Sequence, residues 1–406
     1  MADQGLVSGA NFLLAILFAR WLPRTGYGAV SVGLSAFLLA ANFHHALLLE
    51  PMSVLGPRRF AGRLGSYFSS VLGMHAVAVA IAAAIAAVAA ISAHGQLSTA
   101  LLGLAASLPL VLSFWILRRI CYVLTQPAIA IRGGAVFLGV AVAASFVLRA
   151  AGWLNAASLF AATGVAGLAA AAVLWFCLRP LIGPRAPSFA EVLVVHWRYG
   201  RWMVGVSLTY WVANSAFPVL LSLAAGLPAS AGLRALENLV TPVLQVTGAL
   251  SLLVLPWVSG QAQAQGADYL RRYQRAAMMV AAAVVGGYLA AAWLARELLM
   301  RLLYGAGGYT ELAGLVPVVA LATLVRGISD LSLSTALKGA ERPEAHFLAS
   351  LISAVFVLTA GWRLIQQRQV AGAAWTMLLS NTVQAAVLGL FFARVTRPGE
   401  ASSDDR

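Results

Sequence analysis

Apolar runs of about 20 residues recur along almost the whole chain, each long enough to cross a hydrocarbon core of roughly 30 Å, and short arginine-bearing breaks separate them. That repetition leaves few folds open. In lipid every backbone N–H and C=O needs a protein partner, and a helix supplies all of them from within itself. The soluble alternative fails on charge: 10% of the 406 residues are charged, against roughly 25% in a soluble domain. The reading is an all-α integral membrane protein.

The runs fall at about 5–22, 28–50, 66–93, 98–117, 133–150, 156–178, 202–225, 231–257, 276–296, 312–334, 345–362 and 370–393. These are about twelve transmembrane helices, and the run from Gly5 to Leu22 reads as a retained first span. An even number puts both termini on one side. The breaks after even-numbered spans, with the tail, hold eighteen of the 27 basic residues, among them Arg58, Arg59, Arg63, Arg118, Arg119, Arg132, Arg185 and Arg406. The positive-inside rule then places both termini in the cytoplasm. The net charge of +14 falls at membrane edges, where anionic lipid headgroups explain it more simply than nucleic acid does. Cys121 and Cys177 support neither a disulfide framework nor a metal cluster.

The longest cytoplasmic break divides the chain into a six-helix lobe over 1–178, an amphipathic connector over 179–201, a second six-helix lobe over 202–393 and a cytoplasmic tail over 394–406. The connector is broken by Pro180, Pro184 and Pro187. It then turns amphipathic through Phe189, Val192, Leu193, His196 and Trp197, as an interfacial helix does. A faint repeat supports the division. Pro23 and Pro51 are 28 residues apart, as are Pro228 and Pro256, and Gln126-Pro127 resembles Arg342-Pro343. Six spans in each half make the lobes parallel, around a central cavity.

Polar residues inside spans mark where such a cavity lies. Arg234, Asn238, Thr241 and Gln245 share one helical face, as do Thr323, Arg326, Asp330 and Ser334. Ser31, Ser35, Asn42 and His45 line another face, with His44 and Glu50 beside it. Tyr210, Asn214, Thr376, Ser380 and Gln384 add to the set. Ser, Thr and Asn also join helices by hydrogen bonds, so they leave two readings open. Arginine at a span centre costs roughly 2.5–3.5 kcal/mol on insertion scales, which joining helices does not require. Arg326 and Asp330 can neutralise each other, and Arg234 has Glu237 three residues on. The chain lacks a GxxxxGK[ST] loop and any long external loop bearing paired carboxylates.

Several strings resemble the polysaccharide (O-antigen) repeat-unit flippases of the multidrug/oligosaccharidyl-lipid/polysaccharide exporter superfamily. They are Ser8-Gly9-Ala10-Asn11-Phe12-Leu13-Leu14, then Ala19-Arg20-Trp21-Leu22-Pro23 with Gly26-Tyr27-Gly28, and Trp197-Arg198-Tyr199-Gly200-Arg201-Trp202. Ala231 to Leu239 and Tyr304-Gly305 with Tyr309 complete the set. Arg24-Thr25 departs from the acidic residues relatives often carry there. The resemblance implies a non-enzymatic carrier in the bacterial inner membrane. It would export an undecaprenyl-pyrophosphate-linked oligosaccharide by alternating access, for O-antigen or exopolysaccharide biosynthesis, alongside polysaccharide polymerase machinery and without a cofactor. The residues expected at the substrate are Arg20, Asn42, Tyr210, Asn214, Arg234, Asn238, Thr241, Gln245 and Arg326. Those expected to couple transport to ions are His45, Glu50, Glu237 and Asp330. The rivals are a cation-coupled multidrug exporter of the same fold, a membrane glycosyltransferase or polymerase, and a non-transporting scaffold.

Overall fold

The computed structural model describes residues 2–183, 189–305 and 308–397, and no strand occurs among them. Pro184, Arg185 and Pro187 of the connector, and the tail beyond Arg397 with Arg406, lie outside the described residues. The chain forms two compact units, Met1–Trp211 and Val212–Arg406.

The first unit contains α1 (Ala2–Trp21), α2 (Arg24–His44), a π turn over His45–Leu49, α3 (Glu50–Arg59), α4 (Leu64–Ser92), α5 (Gly95–Val123), α6 (Pro127–Ala150), α7 (Ser158–Leu178) and most of α8 (Phe189–Asn214). α5 is its hub, packed against α2, α4 and α7, while α6 lies between α1 and α7. Small residues let these helices approach closely, as in membrane bundles generally. A Cβ on Gly167 of α7 would stand 2.9 Å from the Val111 Cα of α5. Facing outward, Ile81, Ile85 and Val88 of α4 are 56%, 65% and 63% exposed. They recur at steps of four and three, so one helix stripe is both apolar and uncovered, which suits lipid.

The second unit contains α9 (Phe217–Ala225), α10 (Leu227–Leu294), α11 (Arg296–Tyr304), α12 (Val316–Ser329), a π turn over Asp330–Ser334, α13 (Thr335–Gly339), α14 (Pro343–Phe356), a π turn over Val357–Gly361 and α15 (Trp362–Val395). α12 packs between α10 and α15, and α14 lies along α15.

Eight described helices are long and apolar enough to cross a membrane, nine if α8 and α9 count as one bent span. Two are longer than a single crossing requires. The 68 residues of α10 would run about 100 Å at 1.5 Å per residue, and Gly266 interrupts them at φ 62°, ψ −147°. The stretch from Glu344 to Val395 is likewise interrupted at Gln369, φ 49°, ψ −123°. Dividing both gives eleven stretches of crossing length among the described residues, and the twenty residues of α1 have the length for one more.

The helix ends differ from the expected span ends in two places. The helix that carries the eighth span does not stop near Trp257 but continues through the polar Gln261, Gln263 and Gln265 to Gly266. A helix satisfies its own backbone bonds, so nothing obliges it to stop at the hydrocarbon edge. The amphipathic stretch from Phe189 runs unbroken into the seventh span, which then bends by 50° between Asn214 and Phe217. Pro218 opens the helix beyond the bend, where its missing N–H costs nothing.

The repeated proline motif has one backbone in both units. Thr125 and Glu341 are left-handed at φ 57° and 58°. Gln126 and Arg342 follow at φ −112°, ψ 63° and φ −110°, ψ 64°. The hydrogen bonds match as well: Gln126 N–H donates to Cys121 O at 2.8 Å and Arg342 N–H to Leu337 O at 3.0 Å.

Candidate functional site

In the second unit four charged side chains gather on α10, α12 and the π turn after it. Arg234 Nη1 donates to Glu237 Oε2 at 3.2 Å, with 25% and 14% of the two side chains exposed. Arg326 Nε lies 3.6 Å from Asp330 Oδ2, with 23% and 38% exposed. The second contact is an ion pair longer than a charge-assisted hydrogen bond of about 2.7–2.9 Å. α12 packs on α10, which brings Arg326 close enough for its charge to act on Glu237 as well. One carboxylate is therefore under the influence of two guanidiniums on adjacent helices.

The cluster extends toward α14. His346 lies within reach of the charges of Arg326, Asp330 and Lys338, and its Nδ1 is 3.3 Å from Ser334 Oγ. The π turn helps build this arrangement. Its Thr335 amide bonds the Asp330 carbonyl five residues back, and the Thr335 hydroxyl donates to the same oxygen at 2.9 Å. π turns are uncommon and concentrate at functional sites.

The first unit holds a second polar cluster around its own π turn. Arg119 Nη2 of α5 is 3.2 Å from His45 Nε2, and His45 Nδ1 is 3.6 Å from Glu50 Oε2. Residues five apart on an α-helix point about 140° away from each other. Here the Glu50 amide bonds the His45 carbonyl, a five-residue step, which returns both side chains to one face. Pro51 supplies the cause. It has no N–H for the Leu47 carbonyl and its ring crowds that oxygen. His196 of α8 donates Nδ1–H to Leu47 O at 3.0 Å instead, and Tyr67 OH donates to His196 Nε2 at 2.8 Å.

Two further groups lie beside it. His44 Nε2 is 2.9 Å from His75 Nδ1, and His75 Nε2 is 3.0 Å from Ser113 Oγ. Ser113 gives its hydrogen to the Pro109 carbonyl at 2.6 Å, so it accepts from His75, and His75 accepts from His44. Asp3, 2% exposed, pairs with Arg118 and accepts from Tyr122. Arg118 also donates to Gln4 at 2.8 Å.

Within the second unit the expected substrate residues divide between two settings. Arg234 and Arg326 stand together with Glu237 and Asp330. Asn238 is 2% exposed and donates to Tyr304 OH at 3.4 Å, so it faces α11. Thr241 donates to its own helix at Glu237 O. Gln245 and Arg20 are exposed, while Asn42, Tyr210 and Asn214 are half-buried. Thr323 and Thr376 bond carbonyls of their own helices, and Thr376 and Ser353 also reach carbonyls across the bundle. Asn381, outside the expected stripe, joins α15 to α12 through Ala322 O at 2.9 Å. Those contacts are helix joining.

Sequence reasoning missed Arg119, His75, Ser113 and Arg118 as partners. It counted both arginines only as membrane-edge charge. Glu50 followed at once by Pro51 was the available signal, since a proline there must disturb the turn containing His45. Arg149 behaves as an edge residue, its guanidinium 4.6 Å over the Trp21 ring. Among the described residues no group of three or more His, Cys, Asp or Glu is placed to hold a metal ion.

No protein-family model matches this sequence, and no curated protein matches it closely. Solved structures match it in shape over nearly its whole length. An inward-facing multidrug resistance MATE family transporter of the MOP superfamily superposes with TM-score 0.76 at 14% identity, covering 98% of this chain and 96% of its own. A mutant of the Vibrio cholerae MATE transporter VcmN gives 0.69 at 13%, with 97% and 94% covered. The fold is thus that of these transporters. The lipid II flippase MurJ, in an inward closed conformation, shares it at TM-score 0.75 and 10% identity, with 97% and 89% covered.

Proposed function

We propose that this chain is a flippase for an undecaprenyl-pyrophosphate-linked oligosaccharide, moving it from the inner to the outer leaflet by alternating access. The carrying observation is the pair Arg234 and Arg326, partly exposed on adjacent helices and sharing the field of Glu237. Guanidinium forks match phosphate oxygens and remain charged at any accessible pH. Each arginine already meets a carboxylate, so a pyrophosphate gains entry by exchange with Glu237 and Asp330. Protonation of either acid favours that exchange, which gives both a coupling role. Half-buried Asn42, Tyr210 and Asn214 suit sugar hydroxyls.

A negative-inside potential assists export of an anion. Two charges moved through 100 mV gain on the order of 4–5 kcal/mol, at about 2.3 kcal/mol per charge. The arginine bias supports a bacterial inner-membrane location with both termini cytoplasmic. O-antigen or exopolysaccharide synthesis is the setting the sequence resemblance suggests, with polymerase machinery as the partner. The lipid II flippase of the same fold supports a lipid-linked cargo.

The test is complementation of a deletion strain with Arg234→Ala and Arg326→Ala at wild-type expression. Surface polysaccharide should be lost in both variants, and normal polysaccharide in both overturns the reading. The MATE likeness keeps multidrug export as the rival. A deletion strain that is drug-sensitive but retains its polysaccharide would decide for it.

A further inference from the structure

Arg119, His45 and Glu50 form a linear set whose proton positions follow from chemistry. A guanidinium has hydrogens to donate and no lone pair to offer. With Arg119 Nη2 3.2 Å from His45 Nε2, that ring nitrogen must be the acceptor. The ring proton then sits on Nδ1, the atom 3.6 Å from Glu50 Oε2. His45 is held as a neutral bridge between a cation on one side and an anion on the other. The π turn enforces this, since only a five-residue step returns His45 and Glu50 to one face.

The set is not sealed inside the packed helices. His45 and Glu50 side chains are 41% and 36% exposed, and Arg119 is partly buried. The other charged or titratable groups nearby are accounted for. Arg118 is engaged by Asp3, Gln4 and Tyr122. Tyr122 also lies near Arg119, Tyr199 lies near Glu50 and Arg58, and His44 turns to His75 on α4.

The geometry points to a proton-gated site for a phosphate-bearing anion, with Arg119 as the ligand residue and His45 as the gate. When a solvent proton adds to His45 Nε2, an N–H bond forms where the lone pair accepted Arg119, and two donors face each other. The guanidinium must leave. The new imidazolium keeps its place beside Glu50, and Arg119 becomes available to phosphate oxygens. Low pH therefore opens the site and high pH closes it. This rests on the proposed phosphate-linked cargo but on residues other than Arg234 and Arg326.

Binding of farnesyl pyrophosphate and of inorganic pyrophosphate to the full chain in zwitterionic nanodiscs, at pH 5 and pH 8, tests it. Wild type is compared with His45→Gln, which bridges Arg119 but gains no charge, and with Arg119→Gln and Arg119→Lys. Comparing variants at one pH cancels the titration of the ligand itself. Wild type should bind about tenfold more tightly than His45→Gln at pH 5 and equally at pH 8, the scale of one charge-assisted hydrogen bond. Arg119→Gln should lack the low-pH gain and Arg119→Lys should recover part of it. Gain with both probes identifies the phosphate alone as the ligand, and gain with the farnesyl probe only identifies a lipid-borne headgroup.

An equal wild-type to His45→Gln ratio at both pH values, or a low-pH gain retained in Arg119→Gln, overturns the site. An Arg234→Ala, Arg326→Ala double variant separates the two proposals. Failure of the transport reading shows in surface polysaccharide, whereas the gated site is read from the low-pH gain in that double variant.

Discussion

The Nδ1 hydrogen of His196 is donated to the carbonyl oxygen of Leu47 at 3.0 Å, the oxygen that a regular helix would offer to the amide of residue 51. Proline stands there, so a side chain from α8 fills a vacancy in the backbone of another helix. α8 is seated closely enough that a Cβ on Gly200 would come 2.8 Å from Ala46 O. The stretch leading to the seventh span is therefore tied to the turn that carries His45.

Replacing His196 with Ala should leave both Leu47 O and the Tyr67 hydroxyl without that partner. His196 is 1% exposed, and an unsatisfied buried group costs about 1–3 kcal/mol. Thermal unfolding in detergent should show a clear drop for His196→Ala and a smaller one for Tyr67→Phe, which removes one donor only. An unchanged midpoint for His196→Ala would contradict the assignment.

Pro51→Ala returns an N–H to the place Leu47 O expects. The π turn should relax toward α-helix, carrying His45 and Glu50 about 140° apart. Stability should hold or improve, while the gain in phosphate binding over the His45→Gln chain at pH 5 disappears. Hydrogen exchange offers a direct check, because the new amide should be protected. Rapid exchange at that position would show that the turn is held by something other than the proline.

Asp3 and Arg118 form an ion pair with 2% and 13% of the side chains exposed. Removing one member strands the other charge, which typically costs about 3–5 kcal/mol. Asp3→Ala and Arg118→Ala should each lower the unfolding temperature markedly, and the double variant should cost less than the sum. Strict additivity in that cycle would mean that the pair carries no coupling energy.

Two glycines should respond oppositely to alanine. At Gly167 the added Cβ meets the backbone of Val111 at 2.9 Å, and overpacking of this kind costs typically 1–3 kcal/mol. At Gly139, exposed within α6, nothing lies within 4 Å, and alanine should gain about 0.5–1 kcal/mol. Thermal unfolding of the two variants in the same detergent decides it, and a loss at Gly139 would argue against the open environment there.

Much of the helix layout was legible because hydrophobic length is a local property. The run of residues that crosses a bilayer lies in one stretch of chain, and so does a proline turn. That is why Gln126-Pro127 and Arg342-Pro343, matched as letters, prove to be matched in backbone angle. The joins at Gly266 and Gln369 were less legible, since helix continues into polar sequence wherever its own bonds are satisfied. Among site residues, Arg234 with Glu237 and Arg326 with Asp330 could be paired by helical spacing alone. Arg119 with His45, and His44 with His75, could not.

The sequence by itself determined a chain of membrane-spanning helices, because only helices satisfy a backbone in hydrocarbon and the apolar runs have their length. It also determined which polar side chains share a face wherever the helix is regular. Tertiary structure decided which of those side chains meet across helices, through the rotation and register with which each helix packs. It decided too that one proline would open a π turn, swing Glu50 beneath His45 and hand the orphaned Leu47 carbonyl to a histidine 149 residues away. Hydrogen-bond partners at that distance depend on packing geometry, which no local pattern encodes.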